Sequence, residues 1–252
     1  MINIQDMSAG YNNIPVIKNI NLKITQGEIF CVIGPNGCGK STLLGCIAKQ
    51  IKLLDGNINL DNIPISNITV KEYARKVAYL RQSRDLPVIS VENLVLHGRF
   101  PYLGFPRKLT EHDKELVKSA MIKTDVWKLR YKMLKELSGG ECQKVYIAMA
   151  LAQNTDVLLL DEPATFLDIS SQLELLNLIC QLKNEKKTII IALHDIAEAI
   201  RIADTICLMN QGEIIFSGNP VELLERKFID KVYGITVSSV VVNETRRLFF
   251  EI

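Results

Sequence analysis

The stretch Gly34-Pro35-Asn36-Gly37-Cys38-Gly39-Lys40-Ser41-Thr42 carries the most readable chemistry in this chain. It satisfies G-x-x-x-x-G-K-[ST] at every constrained position. Glycines there let backbone N–H groups turn toward one point with no side chain in the way, which makes a cradle for anionic oxygens. Lys40 adds a point charge suited to outer phosphates, and the Ser41 hydroxyl can ligate Mg²⁺. The preceding run Ile29-Phe30-Cys31-Val32-Ile33 is wholly apolar, as a buried parallel strand should be. Ser41 to Gln50 reads as a helix whose N-terminus faces the phosphates. Strand, loop and helix together imply a bound nucleoside triphosphate. Lys40 is expected to face solvent, so truncating it should leave the fold intact.

A second stretch, Leu137-Ser138-Gly139-Gly140-Glu141, precedes a helix-forming run from Val145 to Ala152. Ser138 and Glu141 have the spacing of a capping box, which is an adequate reason for both. It does not account for Gly139-Gly140, since glycine is costly at the start of a helix. Bare N–H groups at a helix N-terminus are a second anion cradle. Two cradles in one chain suggest that two chains share their phosphates.

Taken in order, these segments and several others resemble the ATP-binding cassette (ABC) ATPases over nearly the whole length. Gln82, at the end of Val77-Ala78-Tyr79-Leu80-Arg81, falls where that family has its Q-loop. Val157-Leu158-Leu159-Leu160-Asp161-Glu162-Pro163 matches the Walker B strand with its acidic pair, Phe166-Leu167-Asp168 the D-loop, and His194 the switch histidine. Tyr11 lies where the family places the aromatic that stacks on adenine, with Val16 a further nucleotide contact. The resemblance implies ATP and Mg²⁺ as ligands. ATP is held by Gly34, Pro35, Asn36, Gly37, Cys38, Gly39, Lys40, Ser41 and Thr42, and by Ser138, Gly139, Gly140, Glu141 and Asp168. The metal is held through Ser41, Gln82 and Asp161. Glu162 is then free of metal duty and can orient or deprotonate the attacking water, with His194, Lys40 and Gln82 completing the catalytic set. Asp161, Glu162 and His194 all lie just past the carboxyl ends of apolar strands, the edge where open parallel sheets bind ligands. His97 and His112 lack that placement and receive no chemical role.

Composition agrees. The 252 residues suffice for one large domain, and 48% hydrophobic residues with mean hydropathy +0.13 suit buried parallel strands. No apolar run is long enough for a membrane span, and Met1 to Asp6 lacks the features of a signal peptide. The six cysteines show no C-x-x-C spacing and read as reduced thiols of a cytoplasmic protein. Net charge +2 and pI 8.1 fall short of the basic footprint of a nucleic-acid binder, so no nucleic acid is expected.

The elements that must position these residues read as an α/β fold. It comprises a P-loop core with a parallel sheet, an antiparallel β subdomain and an inserted α-helical subdomain. Residues 1–252 form a single ABC ATPase domain, with the core and β subdomain at about 1–82 and 151–252 and the helical subdomain at about 83–150. Ile2 to Ile24 reads as strands turned at Asn12-Asn13. A half-exposed strand follows the turn signal Asp55-Gly56 over Asn57–Asp61. Thr110 caps a helix with Asp113 at the capping-box position and an apolar face of Leu116, Val117, Ala120 and Met121. Then come strand 157–160, helix 172–184, strand 188–193 and helix 195–203. A hairpin turns at Asn210-Gln211-Gly212, a helix runs from Asn219-Pro220 to about Tyr233, and a terminal strand pair flanks Asn243-Glu244.

The stretch His97-Gly98-Arg99-Phe100-Pro101-Tyr102 resembles the G-R-x-P-aromatic segment in ATPase subunits of iron-siderophore, haem and cobalamin importers; a molybdate or tungstate branch is similar. Only 58 residues follow His194, too few for the regulatory domain of sugar-importer ATPases. The resemblance therefore implies an ATP-hydrolysing motor subunit, peripheral on the cytoplasmic face of the membrane. A second copy would sandwich ATP with it. An integral-membrane permease, and through it a substrate-binding protein, would be the other partners. The segment from about Ser83 to Tyr102, with Leu86 and Val88, suits docking of a permease helix. The alternative is a soluble ABC ATPase without a permease, linked to nucleic acid, ribosomes or iron–sulphur assembly. The 94 residues between Thr42 and Leu137 lack the sustained heptads of the DNA-repair members.

Overall fold

The structure, a computed structural model, describes residues 2–82, 87–106, 108–165, 167–242 and 245–251. Of the expectations above, those for Ser83 to Leu86, Phe166 and Asn243-Glu244 lie outside the described residues. Strand β1 (Ile2–Tyr11) pairs antiparallel with β2 (Ile14–Ile24). Asn12 and Asn13, at φ +52° and +62°, make the tight turn between them. Next come β3 (Ile29–Ile33), α1 (Lys40–Ile47), β4 (Leu53–Leu60), β5 (Ile63–Pro64), α2 (Val70–Ala74) and β6 (Val77–Leu80). Helices α3 (Val91–Leu96), α4 (Glu111–Lys123) and α5 (Gly139–Ala152) follow. The chain then alternates through β7 (Val157–Asp161), α6 (Ile169–Asn184), β8 (Thr188–Ala192) and α7 (Ile196–Ile202). It ends with the hairpin β9 (Thr205–Asn210) and β10 (Glu213–Gly218), α8 (Pro220–Glu225), α9 (Phe228–Tyr233), and the strand pair β11 (Thr236–Val242) and β12 (Thr245–Glu251).

The main sheet has the order β10-β9-β3-β8-β7-β6, parallel except for β10, and the antiparallel sheet the order β2-β1-β4-β5. Every residue of β3, β7 and β8 is buried, which is why these strands read as solid apolar runs. Alternate residues of β3 face opposite sides. Ile29, Cys31 and Ile33 enter a core with α3 to α7, whereas Phe30 and Val32 enter another with α1 and the antiparallel sheet.

Helix α1 ends three residues earlier than expected and α6 starts three residues earlier, and two expected elements differ in kind. Asp55-Gly56 does not precede a strand; β4 runs through it, with Gly56 opposite a bulge at Asp6-Met7 of β1. Gly56 has φ +74°, the β1 register shifts between Gln5 and Ser8, and an added Cβ would lie 2.4 Å from the Asp6 carbonyl oxygen. The helix from Pro220 does not reach Tyr233 unbroken; Lys227 takes φ +53° and separates α8 from α9. On one straight helix Leu223 and Ile229 would point about 120° apart, yet both are buried in the same core.

Arg99 is buried rather than presented to a partner. Its Nε meets Asp113 Oδ1 at 2.8 Å, and its Nη1 donates to the Ala152 and Gln153 carbonyls at 2.9 and 3.1 Å, satisfying the end of α5. Gly98 has no room for a side chain, because a Cβ would lie 2.3 Å from the Met149 carbonyl oxygen. The Gly-Arg stretch is thus a brace that holds the end of α5 against α4. Burial alone would raise the Asp113 pKa, but the Thr110 hydroxyl and N–H and the Arg99 guanidinium outweigh it and hold it at about 2. A depressed carboxylate contributes stability that is present above its unfolded value and lost as pH falls through the folded one, here on the order of 2 kcal/mol. Urea denaturation should therefore show wild type more stable than Asp113→Asn at pH 5, the difference closing as pH falls from about 4 toward 2. Arg99→Ala, which strands a buried charge, should cost about 3–5 kcal/mol at neutral pH.

Candidate nucleotide site

The phosphate loop joins β3 to α1 at the carboxyl edge of the main sheet. Gly39, with φ +108°, is the N-cap of α1 and offers no side-chain cap; a Cβ there would lie 2.4 Å from Ile17 Cγ2. By contrast α4, α5 and α6 start at Thr110, Ser138 and Asp168, each with a side-chain cap. The first-turn N–H groups of α1 are therefore left for an anion. The loop is braced by the turn of the β9–β10 hairpin, whose Gly212 N–H donates to the Cys38 carbonyl at 3.1 Å. Lys40 corrects an expectation. It is 5% exposed, not solvent-facing, and its Nζ donates to the Gly34 and Pro35 carbonyls at 2.8 and 3.2 Å, closing the loop on itself.

Strand β7 delivers two acids to the same edge. Asp161 is 2% exposed; Ser41 Oγ donates to its Oδ1 at 3.0 Å and the Tyr79 hydroxyl to its Oδ2 at 3.3 Å. Burial raises the Asp161 pKa, partly countered by the Ser41 hydroxyl. Burial also pushes the Tyr79 hydroxyl up, so it remains a donor. Glu162 is 7% exposed and turns through a left-handed backbone, φ +50°, with its N–H donating to the Ala192 carbonyl at 3.2 Å. Gln82 Nε2 donates to Glu162 Oε2, and His194 Nε2 meets the same oxygen at 2.5 Å. So Asp161 is engaged from the phosphate-loop side and Glu162 from the Gln82 and His194 side.

A cavity of about 380 Å³ opens between them, lined by Val16, Asn36, Gly37, Gly39, Lys40, Ser41, Thr42, Gln82, Glu162 and His194. Gly34, Pro35, Cys38 and Asp161 do not line it; Gly34 and Pro35 hold Lys40, and Asp161 holds Ser41. Tyr11 is exposed at the end of β1, outside the lining. Ser138, Gly139, Gly140 and Glu141 do not enter it either: they open α5, where the Glu141 N–H donates to Ser138 Oγ at 3.2 Å and the Ser138 N–H to Glu141 Oε2 at 2.8 Å. Asp168 accepts from the Ser171 N–H at 2.7 Å at the start of α6.

A hard divalent cation takes oxygen ligands and shares those of a substrate phosphate. Ser41, which lines the cavity together with Gln82, and the buried Asp161 that it bonds fit such an ion. Tyr79 was missed from sequence although a hydroxyl on a buried strand needs a partner; Gln143, whose Nε2 donates to the Pro163 carbonyl at 2.6 Å, gave no local signal. The Lys40 contacts give an expected outcome: Lys40→Ala should lower the free energy of unfolding by about 1–3 kcal/mol in urea titration without ligand.

Comparison with known proteins agrees with this geometry. The ABC transporter family matches residues 17–165. The petrobactin import ATP-binding protein FpuD of Bacillus anthracis is 39% identical, over 90% of this chain and 84% of its own length. The ferric enterobactin transport ATP-binding protein FepC of Escherichia coli K12 is 37% identical, over 92% and 86%. A bacterial ABC transporter cassette solved as a dimer superposes with TM-score 0.78 at 28% identity, covering 87% of this chain and 99% of that one. A phosphate loop, an acidic pair and a histidine meeting at one sheet edge, in a chain that matches these proteins along most of its length, make it a member of the ABC transporter family, as an ATP-binding cassette.

Proposed function

We propose that this chain is the ATP-hydrolysing motor subunit of an importer for a metal chelate of the ferric-siderophore class. The observation that carries the chemistry is the division of the acidic pair: Asp161 is tied to Ser41 of the phosphate loop, and Glu162 faces the cavity with Gln82 and His194 on one carboxylate oxygen. The cargo class is supported by FpuD and FepC, which serve petrobactin and ferric enterobactin transport.

In this reading Lys40 and the N–H groups of 34–42 hold the β- and γ-phosphates, and Tyr11 stacks on the adenine with Val16 beside it. Ser41, Asp161 and Gln82 hold Mg²⁺, which when bound neutralises charge on the phosphate oxygens. Glu162 accepts a proton from the attacking water as its oxygen bonds to the γ-phosphorus and the bond to the bridging oxygen of ADP breaks. His194 orients the Glu162 carboxylate and the γ-phosphate. Ser138, Gly139, Gly140, Glu141 and Asp168 serve the nucleotide of a second copy, which accounts for their distance from the cavity of their own chain. Residues of about 83–150 move as a unit against the core and pass closure to a permease, which holds the subunit at the cytoplasmic face of the membrane. Val88 lies just beyond Gln82 and is 86% exposed, as a docking residue should be.

Glu162→Gln should bind ATP with little change yet lose turnover by at least roughly 10²-fold. ATP should then hold two copies together, seen as a dimer on size-exclusion chromatography; an unchanged rate refutes the role. Val88→Asp should weaken permease association and transport while ATP binding by the isolated subunit stays as in wild type. Transport at the wild-type rate would place the docking surface elsewhere.

A further inference from the structure

Gln143 is a buried polar side chain that the nucleotide chemistry leaves unused. It sits on α5 five residues past Ser138, is 6% exposed, and grips the Pro163 carbonyl at 2.6 Å. Pro163 is itself buried and directly follows Glu162. The Glu162 backbone has φ +50°, which a residue with a side chain keeps only when its surroundings impose it. On one side the Glu162 N–H is fixed to the Ala192 carbonyl. On the other, the proline ring sets φ and the amide of Gln143 anchors the carbonyl. Helix α5 thus has an exposed Ser138 at its start and, about 7.5 Å further along its axis, a direct hold on the turn that aims Glu162.

We infer that Gln143 is a positioning residue: it sets the Glu162 carboxylate of its own chain and makes that setting depend on where α5, and with it Ser138, is seated. The inference rests on the two-copy arrangement proposed above. In that arrangement Ser138 meets the nucleotide bound to the other copy, so seating of one nucleotide is transmitted to the base acting on the other through a helix turn and one hydrogen bond.

Mixed dimers of differently tagged full-length chains test this with Gln143→Met, which keeps length and loses the donor. In the first pairing the Gln143→Met chain joins a Glu162→Gln partner, so the one competent base lies in the substituted chain. In the second, both substitutions are on one chain and the partner is otherwise unaltered, so the competent base lies opposite. Relative to the matching dimer with Gln143 intact, ATP turnover should fall at least roughly tenfold in the first pairing and stay within about twofold in the second. Activity in the second pairing also shows that the substituted chain folds and presents Ser138. A control rate in the first pairing, or equal losses in both, overturns the inference. Failure of the two-copy reading is seen separately: Ser138→Ala in the Glu162→Gln partner of the control dimer would then leave turnover untouched.

Discussion

An ionised carboxylate inside a protein is costly unless donors surround it, and here two stand side by side. Strand β7 is buried along its whole length, so its carboxyl end carries Asp161 and Glu162 into the interior. Their partners come from far along the chain: Ser41 from α1, Tyr79 from β6, Gln82 just beyond it, and His194 past β8. The strand order β3-β8-β7-β6 is what brings these segments together, because parallel neighbours deposit their following loops on one edge. Topology and electrostatics therefore impose the same requirement. A sheet that buried the pair without gathering the donors would be unstable, and one that gathered the donors without the pair would have nothing to hold them.

The two cores share this task. The phosphate loop leads into the core of α1 and the antiparallel sheet, and is stiffened by Gly212 and by its own Lys40. The helices α3 to α5 pack in the opposite core, where Arg99 ties the end of α5 to α4 and Gln143 ties its first half to Pro163. The nucleotide cavity is thus assembled at the rim of a wall whose faces are packed by different parts of the chain.

What could be read from sequence was local or periodic. Ile29–Ile33, Val157–Leu160 and Ile189–Leu193 read as strands because burial on both faces demands unbroken apolar residues. The caps at Thr110, Ser138 and Asn219 were legible because each bonds within three residues. What escaped depends on distance in the chain or on competing demands of the core. Lys40 meets carbonyls that only the folded loop brings beneath it, and Tyr79 meets Asp161 across 82 residues. The break at Lys227 answers the need of Leu223 and Ile229 for one core, and the passage of β4 through Asp55-Gly56 answers the bulge in β1; neither demand is visible in its own segment. Arg99 read as part of a partner-facing stretch because a guanidinium is usually solvated, whereas here the open end of α5 claims it.

Helix α1 begins at a glycine that gives it no side-chain cap. An anion that settles on those N–H groups finishes the helix, so its binding free energy adds to the free energy of folding. At a hundredfold excess over its dissociation constant a ligand contributes about 2.7 kcal/mol in this way. A filled phosphate loop therefore holds the whole chain back from unfolding, and from any protease that cuts only the unfolded chain.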